Sequence, residues 1–420
     1  MTTTTRLLCL ALILTASAWG TSSRVDAQPG ATLFTGFRLI TGQNEPAIEN
    51  AALVVEGGRI TAAGPAARVK APKGATVVTL TGKTVMPTIV DTHTHASTTR
   101  EGIVDDLQRR AYMGVGVMMS LGTDAGDLPF QMRSAVVPGG ARFRTAGRGI
   151  TTPEPGRSEV PYWVTTEAQA RAAVREQAAL KVDLIKIWVD DRDGKYTKLS
   201  PALYGAVIDE AHRHGLKVTA HIFNLADAKG LLRAGIDAFA HGIRDLDVDQ
   251  EVLGLFKARP NVIVVPNLPD RGVATDLSWL KGSMPEAELA KLQAAAVDRP
   301  AARPAFELQA RNLAALARAG VTIGFGTDGN TFYAAHQELA DMVTAGMTPA
   351  QVIVAATKHS AALLNLADSG TLERGKRADF IVLDANPLES ITNTRRIHAV
   401  YLNGVAVDRA GQAARWTAAR

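Results

Sequence analysis

The sequence predicts an α/β protein: a (β/α)8 TIM barrel carrying a small β-sandwich domain built from both chain ends. Three observations predict it. Apolar strand-like runs alternate with amphipathic helical stretches through the middle of the chain, polar residues cluster where those runs end, and turn-dense β segments occupy only the two ends. A doubly wound open sheet is the structural alternative for the middle.

In chain order, Arg6 precedes an apolar run from Leu7 to Ala16 that is too short to span a bilayer, and small residues follow. Residues 1–27 therefore read as a signal peptide. Of two small-x-small exits, Ala16-Ser17-Ala18 and Val25-Asp26-Ala27, the second is preferred and leaves Gln28 as the new terminus. The expected location is exported, periplasmic or extracellular, and a retained anchor is the alternative. The one cysteine, Cys9, falls in the signal, so the mature chain needs no disulfide.

Residues 28–84 hold short β segments such as Ala51–Val55 and Ala75–Leu80, broken by Gly57-Gly58, Gly64-Pro65 and Pro72-Lys73-Gly74. Residues 367–420 repeat the style at Ala378–Asp384 and Ile397–Gly404. Neither end has strands enough for its own core, so the two are expected to pair.

Residues 85–366 offer eight candidate strands: 85–95, 116–120, 142–146, 184–189, 217–221, 238–241, 262–266 and 322–328. Helical stretches at 167–180, 201–214 and 302–319 fall between them. In a TIM barrel the active site lies where the strands end. His93 and His95 sit at one such end. Two residues apart on a strand, they share a face at roughly 6–7 Å spacing, close enough to meet one metal ion about 2.1 Å from nitrogen. Asp91 shares that face and is expected to orient one ring. Lys186 points inward with Trp188, because Ile185, Ile187 and Val189 take the helix-facing side. A bare buried ammonium is costly. Lys186 either pairs with Asp91 or Asp328, or reacts with carbon dioxide to form a carbamate. His221, His241 and Asp328 end three further strands, and of nine histidines the helix-end pair His212 and His214 is set aside. Nitrogen and oxygen donors of this kind suit zinc.

These motifs, Asp91-Thr92-His93-Thr94-His95, Leu184-Ile185-Lys186-Ile187, His221, His241-Gly242, Gly326-Thr327-Asp328 and the closing stretch Gly370–Asp379, resemble the amidohydrolase superfamily, in its imidazolonepropionase-like and Xaa-Pro-dipeptidase-like branch that includes ochratoxin-hydrolysing enzymes. The resemblance implies a binuclear centre. His93, His95 and Asp328 would hold one divalent ion, His221 and His241 the other, and carboxylated Lys186 would bridge them together with a hydroxide that attacks an amide. Asp328 would be the catalytic general base and then acid. Two departures from the dipeptidase pattern stand out. Gly147-Arg148-Gly149 replaces a Gly-Gly-His segment, and Phe223 stands where relatives tend to have tyrosine.

The expected substrate is a small amide, an N-acyl amino acid, dipeptide or ochratoxin-like compound, that carries a free carboxylate. Arg148, Arg192 and Arg244, with Lys198, follow strands and would ring the barrel mouth, while Trp188 and Phe223 favour a bulky apolar group. Cyclic amides, imides or lactones are the second reading, and a metal-free pseudoenzyme with a binding role is a remote third. The net charge of +5 is spread among interspersed acids and bases, which argues against a nucleic-acid groove. Nothing after the signal is apolar for long enough to span a membrane, and the protein is expected to form a homo-oligomer.

Overall fold

The computed structural model describes residues 30–329 and 331–418. The expected signal peptide, its exits and Cys9 lie outside them. The chain is a mixed α/β fold built on parallel sheets, and among the described residues no helix is long and apolar enough to cross a membrane.

The first five strands are β1 (Thr32–Leu39), β2 (Ile48–Glu56), β3 (Arg59–Pro65), β4 (Thr76–Thr79) and β5 (Thr84–Pro87). The central strands are β6 (Ile89–Thr94), β7 (Val115–Ser120), β8 (Arg142–Thr145), the two-residue β9 (Ile150–Thr151) and β10 (Tyr162–Trp163), β11 (Ile185–Val189), β12 (Val218–Ile222), β13 (Ala238–Ala240), β14 (Ile263–Val265) and β15 (Thr322–Ile323). Last come β16 (Phe380–Leu383), β17 (Ile397–Leu402) and β18 (Val405–Ala406).

Both chain ends contribute to one sheet, in the order β18-β17-β16-β5-β1-β2-β3 with β4 also on β1. The two ends thus pair in one continuous sheet, and β1 reaches three partners because β2 lies along it while β4 and β5 pair with Thr32–Thr35 and Arg38–Leu39 respectively. Phe34, Phe380 and Tyr401 interlock in its core, with Phe34 edge-on to the other two. The run expected as one strand over 85–95 is two strands in different sheets. β5 pairs antiparallel with β16, and only after Thr88 does β6 join the parallel strands. The C-terminal segment is not all β, because Arg409–Thr417 is a helix docked on helix Arg100–Tyr112, with Trp416 Nε1 donating to Asp105 at 2.8 Å.

The central strands form two parallel sheets, β6-β7-β8 and β10-β9-β11-β12-β13-β14-β15. Backbone bonds run between them: Thr92 N donates to Phe325 O at 3.1 Å, and Asp183 N to Thr145 O at 3.0 Å. Alternation along β11 is as the sequence predicts. Ile185, Ile187 and Val189 pack with Val174, Tyr204 and Val207 of the covering helices. The opposite faces share a second core, where Val90, Val117, Met119, Ala240 and Val265 meet from both sheets. Helix Glu167–Ala179 starts at a Thr166–Gln169 capping box, and helix Pro201–Arg213 at Ser200 with proline in the first turn. These two devices fix where those helices begin.

Candidate metal centre and active site

Three consecutive strand ends turn inward through left-handed backbone. His241 after β13, Asn267 after β14 and Asp328 after β15 have φ of 131°, 46° and 50°. Such conformations cost about 1–3 kcal/mol each and gather where side chains must be aimed. Here they bring polar groups to one point. His93 and His95 Nε2 both lie 3.0 Å from Asp328 Oδ1, and His241 Nε2 lies 3.5 Å from Oδ2. Donor atoms of His93, His241 and Asp328 fall within 4.8 Å of one another. His221 stacks edge-on against His241, ring centroids 4.5 Å apart.

Close approach explains two glycines. A Cβ on Gly326 would sit 2.7 Å from that of His93, and one on Gly149 would stand 2.1 Å from the Trp188 ring. The second absence of a side chain lets Trp188 lie inward, buried, beside Lys186, whose Nζ is 5.4 Å from the ring.

Lys186 is 1% exposed, and its Nζ has no hydrogen-bond partner among the described residues. Neither Asp91 nor Asp328 pairs with it directly. Burial pushes its pKa down to about 7, against the pull of Asp328 and with help from Arg244 and Arg192. Burial, then Lys186, lowers His93 to about 4, and burial likewise holds His221 and His241 well below the usual imidazole range. Neutral imidazoles are the form that binds metal. For Asp328, burial acts upward, but His93, His95 and His241 outweigh it and hold the carboxyl far below its ordinary range.

Asp91 does not orient a ring. It is fully buried and accepts from Arg110 Nη1 at 2.9 Å, Thr327 Oγ1 at 2.8 Å, Thr327 N at 3.1 Å and His93 N at 3.3 Å. Arg110 also donates to Gly329 O at 2.6 Å, so one ion pair clasps the backbone on both sides of the site. Ring orientation falls instead to Asn267, whose Oδ1 is 2.9 Å from His93 Nδ1, and to Thr123, whose Oγ1 is 3.0 Å from His95 Nδ1. Sequence reasoning passed over both. Asn267 directly follows the apolar run of β14, as His241 follows β13, and that position was the available signal.

The expected substrate residues divide. Arg192 Nη1 and Arg244 Nη2 lie 3.0 and 3.1 Å from His221 Nε2, which also meets Asp190 Oδ2 at 2.8 Å. Asp190, another strand-end residue missed in sequence, holds Arg192 Nη1 at 2.6 Å. Arg244 covers the Phe223 ring at 5.1 Å. Arg148 is not brought to this cluster. Because Gly149 faces Trp188, Arg148 turns to the other side of its segment, where it donates to Val160 O at 2.5 Å and covers Tyr162 at 4.0 Å. Lys198 is engaged with Asp227 at 2.8 Å.

Comparison with known proteins fixes the family. The amidohydrolase family profile matches residues 84–407, most of the chain. The chain belongs to the amidohydrolase family. It is 28% identical to an imidazolonepropionase of Deinococcus radiodurans over 85% of this chain and 92% of that protein. It is also 28% identical to ochratoxinase of Aspergillus niger, over 58% of this chain and 50% of that protein. Among solved structures, a Xaa-Pro dipeptidase with methionine in its active site superposes over 90% of this chain and 99% of its own, with a TM-score of 0.72 at 22% identity, a likeness of fold. This amidohydrolase is accordingly a hydrolytic enzyme acting on C–N bonds.

Proposed function

We propose that this amidohydrolase is an exported, binuclear metal enzyme on a closed (β/α)8 barrel with a terminal β-sandwich, and that it cleaves an amide lying beside a free carboxylate, as in an N-acyl amino acid, a dipeptide or an ochratoxin-like compound. The interstrand bonds at Thr92–Phe325 and Asp183–Thr145 support closure. Export rests on the sequence of residues 1–27, and cell fractionation tests it.

The donor set fits divalent ions. His93, His95 and Asp328 would hold one and His221 and His241 the other, with zinc suited to such ligands. Lys186 fits the bridging role because its buried amine lacks a partner and, with a pKa near 7, is substantially neutral. A neutral amine can add carbon dioxide through its lone pair, forming an N–C bond and releasing one proton; the resulting carbamate supplies two oxygen donors. Bound ions would make water acidic enough to ionise near neutral pH and would polarise the amide carbonyl. The chain's own part is proton transfer. Asp328 takes the proton of the attacking water and delivers it to the leaving amine, and the histidines that hold its pKa low keep it ionised to begin the cycle.

The observation that carries the substrate class is the convergence of Arg192 and Arg244 at His221. Arg192 Nη2 is buried without an acceptor among the described residues and Nε stands 3.6 Å from Glu154 Oε1, too far for a hydrogen bond, and a planar fork of this kind matches a carboxylate in two parallel hydrogen bonds. Trp188 and Phe223 would flank the amide's apolar group.

The test is a panel of N-acyl amino acids, dipeptides and their methyl esters, run on wild type and on Arg192→Ala and Arg244→Ala. Masking the carboxylate should lower kcat/KM by about tenfold or more, and either substitution should erase that preference. A ratio within about twofold would contradict the reading. The broader match to an imidazolonepropionase favours cyclic amides as the second reading, and these belong in the same panel.

A further inference from the structure

A cavity lies away from the histidines, near the starts of β7 and β8, where residues 133–144 face β17 and β18. Its volume is about 450 Å³, within the range of small-molecule pockets. Four arginines line it, Arg133, Arg142, Arg144 and Arg377, against one carboxylate, Asp379.

Their ion pairing is incomplete. Only Arg377 meets a carboxylate at hydrogen-bond distance, Nε to Asp379 at 2.9 Å. Arg142 stands 3.7 Å from both Asp368 and Asp379, while Arg144 and Arg133 stand 3.5 and 3.9 Å from a shared Asp183. Three carboxylates thus serve four guanidinium groups. Arg142 Nε and Arg144 Nε are buried with no acceptor among the described residues. Charge left unmatched in a protein interior is costly, so an anion that supplies acceptors here offsets what the fold forgoes. The rest of the wall is apolar, with Val136, Val137, Pro138, Leu402 and Val407.

We propose that this cavity is a second binding site, separate from the catalytic centre, for a small amphiphilic carboxylate whose charged end meets Arg142 and Arg144 and whose apolar body lies on Val137 and Leu402. An inorganic oxyanion shares the charge but leaves the apolar wall uncovered. A neutral amide of the same shape covers the wall but leaves the guanidinium groups unmatched.

Calorimetric titration of the full-length, metal-loaded protein with benzoate, benzamide and sulfate tests this. Benzoate should keep one site per chain in Arg244→Ala, a change that removes only the carboxylate contact proposed at the catalytic end. Benzamide and sulfate should bind at least about tenfold more weakly. Arg144→Gln should weaken benzoate by about tenfold or more. Val136→Glu, at a position 76% exposed and so tolerant of charge, should do the same by placing a tethered carboxylate in the cavity. The proposal is overturned if benzoate binding disappears in Arg244→Ala yet persists in Val136→Glu, if sulfate binds as tightly as benzoate, or if no benzoate binds at about 10 mM.

Discussion

Asp328 meets three imidazoles, and each contact serves two ends. The same geometry that could share an ion also keeps the carboxylate ionised and ready to take a proton. Asp328→Asn keeps an oxygen donor but cannot carry the proton. It should retain most of its metal while kcat falls by about a hundredfold or more, as paired metal analysis and kinetics would register. A different effect is expected one residue further out. Asn267 fixes which nitrogen His93 presents, so Asn267→Ala should weaken metal binding by about 10–100-fold, measured by competition with a chromophoric chelator, while leaving thermal stability of the metal-free protein nearly unchanged.

At the scale of elements, the Asp91–Arg110 pair joins helix Arg100–Tyr112 to β6 and to the segment that carries Asp328. Both partners are buried, so removing one strands the other charge. Arg110→Met should cost about 3–5 kcal/mol in urea unfolding, and a loss below about 1 kcal/mol would mean that Asp91 finds another partner. This pair also marks where sequence reasoning ran short. The period-two pattern of β11 foretold the inward Lys186 and Trp188, because alternation depends only on backbone geometry. Asp91 obeyed the same alternation, yet its partner came from a helix nineteen residues on, and no local pattern encodes that distance. Arg148 was misplaced for a related reason: the strand it follows ends at Thr145, so the alternation that would have set its direction was no longer in force. The join at Thr88 was hidden because both strands that meet there are wholly buried and read as one apolar run.

Across the whole molecule, stability draws on buried histidines that stay neutral. His93, His221, His241 and His336 all have folded-state pKa values below the unfolded value of 6.5, His336 pushed down to about 3 by burial first and Arg395 next. Below pH 6.5 the unfolded chain binds protons that the folded chain refuses. Their contribution is therefore fully present above pH 6.5 and is lost as pH falls, at up to about 1.4 kcal/mol per pH unit for each group. Urea midpoints of metal-free protein should drop steadily from pH 7 to about 5. His336→Gln, distant from the proposed metal ligands, should reduce that slope by about one proton, and a slope unchanged by it would contradict the assignment. The central claim, that six residues from both parallel sheets gather to hold two divalent ions, is reached most directly by titrating metal-free protein with zinc in bicarbonate buffer. The account predicts tight uptake that ends at two equivalents per chain in wild type and falls short of two in Lys186→Ala; saturation of wild type at one equivalent or none would contradict it.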